Sequence, residues 1–397
     1  MARDALGFNL NYFTGDYSAI KAGVRPFPGH SGMFSDAKAY KPLYNGNISS
    51  IAKTNAKFGE FSWTFGATVL YNYGYDQFNR LTKMDAYNQF NATNNSWNSN
   101  MSPMQHWQER IAYDANGNIL KYNRNGADGG GHPIRMDSLT YYYYAGTNKL
   151  RRLKDSVPPG PYPNVPEFSD LDTQPEDNYL YDEIGNLVRD SAEGITSIKW
   201  SVYGKILEIN KRATGPSAAT RMVFTYDAQG NRIGKQTEYA GNNYKKYEWY
   251  VRDAQGNTIA IYSGDGNLST NVSGITPNIA ERHIYGSSML GSYNLQQGLF
   301  NGPGNVSHVQ MFDYVRGSRR YQLSNHLGNV EAVVTDKKFG VISDTNSSLI
   351  AYYRPDIVMA QDYYPFGWQM PGRGWQQSGY YRYGFNGKEN DNEVKGG

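Results

Sequence analysis

The feature that most constrains this chain is a seven-residue phrase, Tyr-Asp-x-x-Gly-Asn followed by an aliphatic or basic residue, which returns with variations along 397 residues. It reads Tyr113-Asp114-Ala115-Asn116-Gly117-Asn118-Ile119, then Tyr181-Asp182-Glu183-Ile184-Gly185-Asn186-Leu187, then Tyr226-Asp227-Ala228-Gln229-Gly230-Asn231-Arg232. A looser first copy is Tyr75-Asp76-Gln77-Phe78-Asn79-Arg80-Leu81. Later variants are Arg252-Asp253-Ala254-Gln255-Gly256-Asn257-Thr258 and Asn325-His326-Leu327-Gly328-Asn329-Val330. Recurring units fold as a stack, and the function of a stack belongs to its surface or its interior.

The physics of one unit follows from its residues. Arg221–Tyr226 alternates in the manner of a half-buried strand, and Arg232–Thr237 reads as the returning strand. Between them, Asp accepts bonds from backbone amides two residues on, and Gly adopts positive φ. Tyr75, Asp76, Tyr113, Asp114, Gly117, Tyr181, Asp182, Gly185, Tyr226, Asp227, Gly230, Asp253 and Gly256 are therefore read as structural residues of the repeated turn rather than catalytic or calcium-binding groups. A lone hairpin cannot bury its apolar face, so neighbours must pair edge to edge. With 35 Tyr and 43 Gly the composition suits many half-exposed strands joined by tight turns. The fold class predicted is all-β: tandem hairpins forming a continuous, curved antiparallel sheet.

Three stretches organise the chain: an N-terminal β segment (1–70), a hairpin array (71–262) and a C-terminal segment of looser pattern (263–397). Tyrosines 181, 203, 226 and 250 are 22, 23 and 24 residues apart, which places a degenerate copy at Tyr203. A strand is expected over Phe61–Phe65. Asp85–Pro103, rich in Asn, Ser and Thr, and the proline-rich Pro158–Glu176 read as excursions from the sheet. Gly291–Asn305 reads as a loop. An incomplete sheet exposes unpaired strand edges, so edge-to-edge self-association is expected.

Several function classes are disfavoured. A net charge of +3 is too small to imply nucleic acid or an anionic membrane as partner. The basic runs Lys149–Lys154 and Arg316–Arg320 read as solvated strand edges or loops. Cysteine is absent, which removes disulfides, thiol nucleophiles and thiolate metal sites. No run of about eighteen apolar residues offers a membrane-spanning helix. None of the six histidines has zinc-site spacing, and a structural hydrogen bond is the reading for His326. The chain is expected to be no enzyme, with no catalytic residues, metal or cofactor.

The closing series is the most distinctive: Ser324–Val330, then Asp362-Tyr363-Tyr364-Pro365-Phe366-Gly367, then Tyr383-Gly384-Phe385-Asn386-Gly387-Lys388-Glu389. In that order, and with the repeated phrase, these residues resemble the Rhs/YD-repeat family in its Bacteroidetes-type form, related to the C components of Tc toxins and to teneurin shells. The resemblance implies an antiparallel sheet spiralling into a hollow shell that encloses a C-terminal toxin or effector, or serves as a surface body. It implies a secreted or cell-surface location, with export as part of a larger polypeptide. The partners it implies are a downstream toxin or core segment, or an immunity or secretion protein. The sequence stops at Gly397, before the Asp-Pro-x-Gly-Leu-like motif at which many members cleave themselves, so self-cleavage is not expected of it. The alternative reading is a surface module that binds a glycan or protein receptor through exposed aromatics, with Tyr142, Tyr144, Trp368 and Trp375 as the stacking candidates.

Overall fold

The computed structural model describes residues 3–21, 27–61, 66–127, 133–158, 173–215, 217–241, 243–269, 274–298, 315–344, 346–377 and 381–395. The expected strand at Phe61–Phe65 and most of the proline-rich excursion lie outside them.

Among the described residues almost every regular element is a strand, and the strands form two large antiparallel ladders that do not close into a barrel. The first has eight strands: Leu6–Asn11, Ser50–Asn55, Thr68–Tyr75, Leu81–Tyr87, Glu109–Tyr113, Ile119–Asn125, Arg135–Tyr143 and Leu150–Asp155, paired in that order. The second has fourteen, from Tyr179–Tyr181 to Gln369–Gln376, again paired in chain order. The all-β class and the hairpin array are as the repeats predict. The pairing runs unbroken through residues 70 and 262 and is interrupted once, between Asp155 and Tyr179.

Two local readings need correction. Gly291–Asn305 does not begin as a loop: Met289–Gly298 is a strand that pairs with Asn278–Tyr285 on one side and Arg319–Ser324 on the other. Gly291 is there because a Cβ would collide with the Arg320 carbonyl of the neighbouring strand; close backbone approach, not a turn, selects the glycine. The excursion at Asp85–Pro103 starts later, since Leu81–Tyr87 stays in the ladder. Its remainder makes a two-stranded piece, Phe90–Asn91 with Ser96–Trp97. It folds back because Trp97 and Met101 are buried with Phe34, Ala52, Leu70 and Tyr87, covering one face of the first sheet.

The other face of that sheet is covered by the end of the chain. Val69, Tyr71, Met84, Ala86, Trp107 and Met136 pack against Tyr364 and Met370, and Ala5 and Phe58 against Ile357 and Ala360. Trp107 is fully buried and its indole N–H donates to the Pro371 carbonyl at 2.9 Å. Tyr364 donates its hydroxyl to the Asn125 carbonyl. The chain thus returns on itself, and two of its core clusters join early residues to late ones.

A buried charge group occupies this seam. Lys53 lies 2.9 Å from Glu331 and 2.6 Å from Asp362, and Arg373 lies 2.5 Å from Asp362. The Arg373 guanidinium is 4.2 Å from the centre of the Phe58 ring and donates to the Gly66 carbonyl. Two cations and two carboxylates balance, and burial on that scale holds only because each is paired.

Trp107→Ala is expected to lower unfolding free energy by about 3–5 kcal/mol, the usual cost of emptying a buried tryptophan site. Urea unfolding followed by far-ultraviolet circular dichroism measures it.

Candidate functional site

One backbone construction recurs at the rim of both ladders. In the Tyr226 copy, the Asp227 N–H donates to the Asn231 carbonyl at 3.0 Å and the Gly230 N–H donates to the Asp227 carbonyl at 3.0 Å. One Asp227 carboxylate oxygen accepts the N–H groups of Gln229 and Asn231, at 2.9 and 2.8 Å, and the other accepts the Asn231 side-chain amide at 3.0 Å. Those amide bonds, from Asn231 above all, hold the Asp227 carboxyl below its ordinary value. Gly230 sits at φ +80°. The register then skips one residue, Ile233, between the pairs Tyr226–Arg232 and Thr225–Gly234. This is a tight turn closed by a left-handed glycine and a bulge, which adds twist to the strand pair.

The same two backbone bonds close the turns that begin at residues 76, 114, 182, 201, 253, 325, 364 and 384. Substitutions at the key positions keep the geometry. Asn79 takes the glycine place at φ +62°, and the Arg80 guanidinium takes the amide's place on Asp76 at 2.6 Å. Asn325 replaces Asp and accepts the N–H groups of Leu327 and Asn329. In the degenerate copy, the Ser201 hydroxyl accepts the N–H groups of Tyr203 and Lys205.

The tyrosine of the phrase does something the turn alone does not require. Its hydroxyl crosses to the neighbouring hairpin and donates to the carbonyl of the residue that follows the preceding turn. Tyr75 reaches Ile48, Tyr113 reaches Leu81, Tyr181 reaches Leu150 and Tyr226 reaches Ile206, and Tyr143, which lies outside the phrase but before the turn at 144–149, reaches Ile119, all between 2.7 and 3.0 Å. Tyr285 closes on Thr258 at 3.0 Å. Each is a latch between units rather than within one. The Tyr181 latch spans the interruption between the two ladders.

Spacing counted by tyrosines misplaces two latches. Tyr203 is at the turn tip, 87% exposed, and it is the Trp200 indole that donates to Leu187 at 2.8 Å. Tyr250 lies within a strand, and Arg252 makes the latch, with two guanidinium nitrogens on the Arg232 carbonyl at 3.0 and 2.8 Å. What the position selects is a long side chain with a terminal donor, and a Tyr search misses Trp and Arg.

Each of the four stacking candidates meets a partner within the chain. The Trp368 ring carries the Arg124 guanidinium 4.8 Å from its centre, and the Trp375 ring carries the Lys57 ammonium at 4.0 Å. Tyr142 is exposed, with Arg152 at 5.1 Å from its ring centre. Tyr144 donates to the Tyr179 carbonyl at 2.8 Å and meets the Tyr181 ring edge-on. On each tryptophan a sugar could stack on the cation-bearing face only by displacing that cation. The two arginines of the basic run at 149–154 are compensated: Arg151 pairs with Glu176 and Asp177, and Arg152 with Glu176.

Sequence reasoning missed the most charged arrangement on the second sheet. The tail, residues 381–395, lies across one face of the strands between Ile206 and Tyr285. Arg382 reaches Glu248 at 2.9 Å, Glu281 at 3.3 Å and Glu389 at 2.6 Å. Lys235 reaches Asp391 at 2.7 Å and Glu393 at 3.0 Å, and Lys211 donates to the Val394 carbonyl at 2.5 Å. The Tyr383 hydroxyl and His283 Nε2 are 2.9 Å apart. Burial opposes ionisation of Glu248, but Arg382, Lys246 and Lys235 outweigh it and hold its carboxyl down to about 2. In the first sheet the balance reverses: burial pushes Glu109 up to about 7, although Tyr122 donates to it and Arg124 lies near. His326, expected to make a structural hydrogen bond, makes none among the described residues and instead packs at 6.2 Å from the Phe8 ring. Among the described residues no group of three or more His, Asp or Glu side chains could hold a metal ion, and no helix is long and apolar enough to cross a membrane.

No protein-family model and no curated protein matches this sequence. Among solved structures the chain is similar to the crystal structure of TcdB2-TccC3-Cdc42, at 14% identity and a TM-score of 0.33, over 88% of this chain and 18% of that one. It is similar likewise to TcdB2-TccC3-TEV, at 16% identity and a TM-score of 0.32, with the same coverage. The chain thus spans less than a fifth of the length of those chains. Superpositions at such scores do not define a shared fold.

Two outcomes follow from the latches and the tail. Tyr226→Phe is expected to cost about 1 kcal/mol, the worth of one intramolecular hydrogen bond, whereas Tyr203→Phe stays within about 0.5 kcal/mol; chemical unfolding of both variants checks this. Glu248 has a depressed carboxyl in the folded chain, so its stabilisation is present above its unfolded value and is lost as pH falls towards about 2. Glu248→Gln should therefore be destabilised by on the order of 3 kcal/mol at pH 7. The gap between its thermal midpoint and that of the parent should close between pH 5 and pH 2, values that bracket roughly the carboxylate range.

Proposed function

We propose that this chain is a wall segment of the Rhs/YD-repeat type, a non-enzymatic β-structure in an exported or surface-displayed protein. Its work is to enclose or present the polypeptide joined to its C-terminal tail. The observation that carries this reading is the tail itself, held along one face of the latched hairpins by Arg382, Lys235 and Lys211. A chain continuing from such a tail begins against the wall rather than in open solvent. The repeat carboxylates support a structural role, because both oxygens of Asp114, Asp182, Asp227 and Asp253 are engaged within their own turns. The ordered closing series, which resembles the approach to the Rhs-associated core, points the same way.

The test is protection. An unstructured reporter carrying one protease site is joined after Gly397, and the same reporter is joined before Met1 in a second protein. The wall reading expects cleavage of the C-terminal reporter to be slower by about tenfold or more, a ratio that corresponds to ~1.4 kcal/mol of shielding. The double variant Asp391→Asn, Glu393→Gln, which frees the tail from Lys235, should raise the rate towards that of the N-terminal reporter. Equal cleavage of the two reporters in the parent protein would contradict the reading.

A further inference from the structure

A groove of about 460 Å³ opens between the turn at residues 201–205, the strands Ile206–Lys211 and Ala219–Tyr226, and the end of the tail. That volume falls in the range of small-molecule sites. Its walls are mainly apolar: Trp200, Ile206, Ile209 and Phe224 from the sheet, and Val394 from the tail.

The polar groups that border it are almost all engaged. The Trp200 indole N–H donates to Leu187 and the Tyr226 hydroxyl donates to Ile206. Arg232 lies 3.3 Å from Asp391 and 4.6 Å from the Phe224 ring centre, and Asp391 also takes Lys235. One charge is left. Among the described residues the Lys205 ammonium has no ion-pair or hydrogen-bond partner. Its stem is laid over the next turn, where a Cβ on Gly230 would come within 3.1 Å of Lys205 Cε. Glycine at 230 thus does two things: it takes the left-handed φ and it leaves room for the lysine at the groove's mouth.

A sugar needs many donors and acceptors, which these walls do not have to spare. The Lys205 ammonium is exposed and unpaired at the mouth, so an anionic end on an apolar ligand gains a contact there that a neutral one does not. We propose that this groove binds a small amphipathic anion: an apolar body lying among Trp200, Ile206, Ile209, Phe224 and Val394, with a single carboxylate on Lys205. The inference goes beyond the wall reading and stands or falls apart from it, because the wall is tested by protection of an attached chain and the groove by ligand binding.

Calorimetric titration of the full chain tests it, with decanoate below its micelle concentration as probe and decanol as the neutral match. A flat aryl acid, 2-naphthoate, is the second anionic probe, and its affinity relative to decanoate tells whether the body is planar or flexible. The expected result is saturable one-to-one binding of at least one of the two acids. Lys205→Gln should weaken that binding by about tenfold, the size of one charge-assisted contact, and leave decanol within about twofold, as an uncharged ligand requires. Lys205→Arg should retain the affinity of the acid. Val394→Trp, which fills the groove from the tail side, should abolish it, with the thermal midpoint of each variant reporting that the chain is folded. Absence of saturable binding of both acids, equal affinity in Lys205→Gln, or binding that survives in folded Val394→Trp would each overturn the proposal.

Discussion

The structure depends on a hydrogen bond that no single repeat can make for itself. Each turn is closed internally by its Asp and Gly, but that closure only makes a two-stranded hairpin, which is marginal in water. The aromatic or arginine donor that precedes the turn ties the hairpin to the one before it, at Ile48, Leu81, Ile119, Leu150, Leu187, Ile206, Arg232 and Thr258 in succession. From Leu81 onward the acceptor is the residue just after a turn, where the bulge interrupts the ladder and a carbonyl needs another partner. Turn, bulge and latch therefore form one device. The turn creates the bulge, the bulge presents a carbonyl, and the next unit's donor satisfies it.

That device explains which parts of the chain were legible beforehand. Asp227 and Gly230 could be read from sequence because their work is done within five residues: the carboxylate caps nearby amides and the glycine supplies the left-handed φ. The all-β class followed from the same local chemistry. The latch was not legible, because its acceptor lies in another unit and its donor is defined by reach rather than by residue type. Trp200 and Arg252 fill the place while Tyr203 and Tyr250, which keep the tyrosine spacing, do not. Gly291 misled for a related reason: a glycine-rich stretch reads as a loop unless the neighbouring strand that needs the space is known.

The closing contacts were further out of reach. Lys53 and Glu331 are 278 residues apart in sequence, and nothing local marks either as one member of a buried quartet with Asp362 and Arg373. The tail is similar. Glu389 belongs to the most distinctive segment of the sequence and Arg382 and Asp391 flank it, yet their partners Glu248, Glu281, Arg232 and Lys235 sit at ordinary strand positions. These charges are affordable only because register aligns them on one face: Lys235 stands opposite Glu248, and Glu281 opposite Ile261 one strand pair further on.

A wall built this way opens as neighbouring units rather than as separate hairpins, since each unit's backbone is completed by the next. Amide hydrogen exchange of the intact protein tests that claim most directly. The account predicts that the strands from Ile195 to Tyr285 share similar protection, and that Tyr226→Phe speeds exchange in Ile206–Lys211 as well as in its own hairpin. Protection that differs hairpin by hairpin, with the Tyr226→Phe effect confined to residues 219–239, would contradict it.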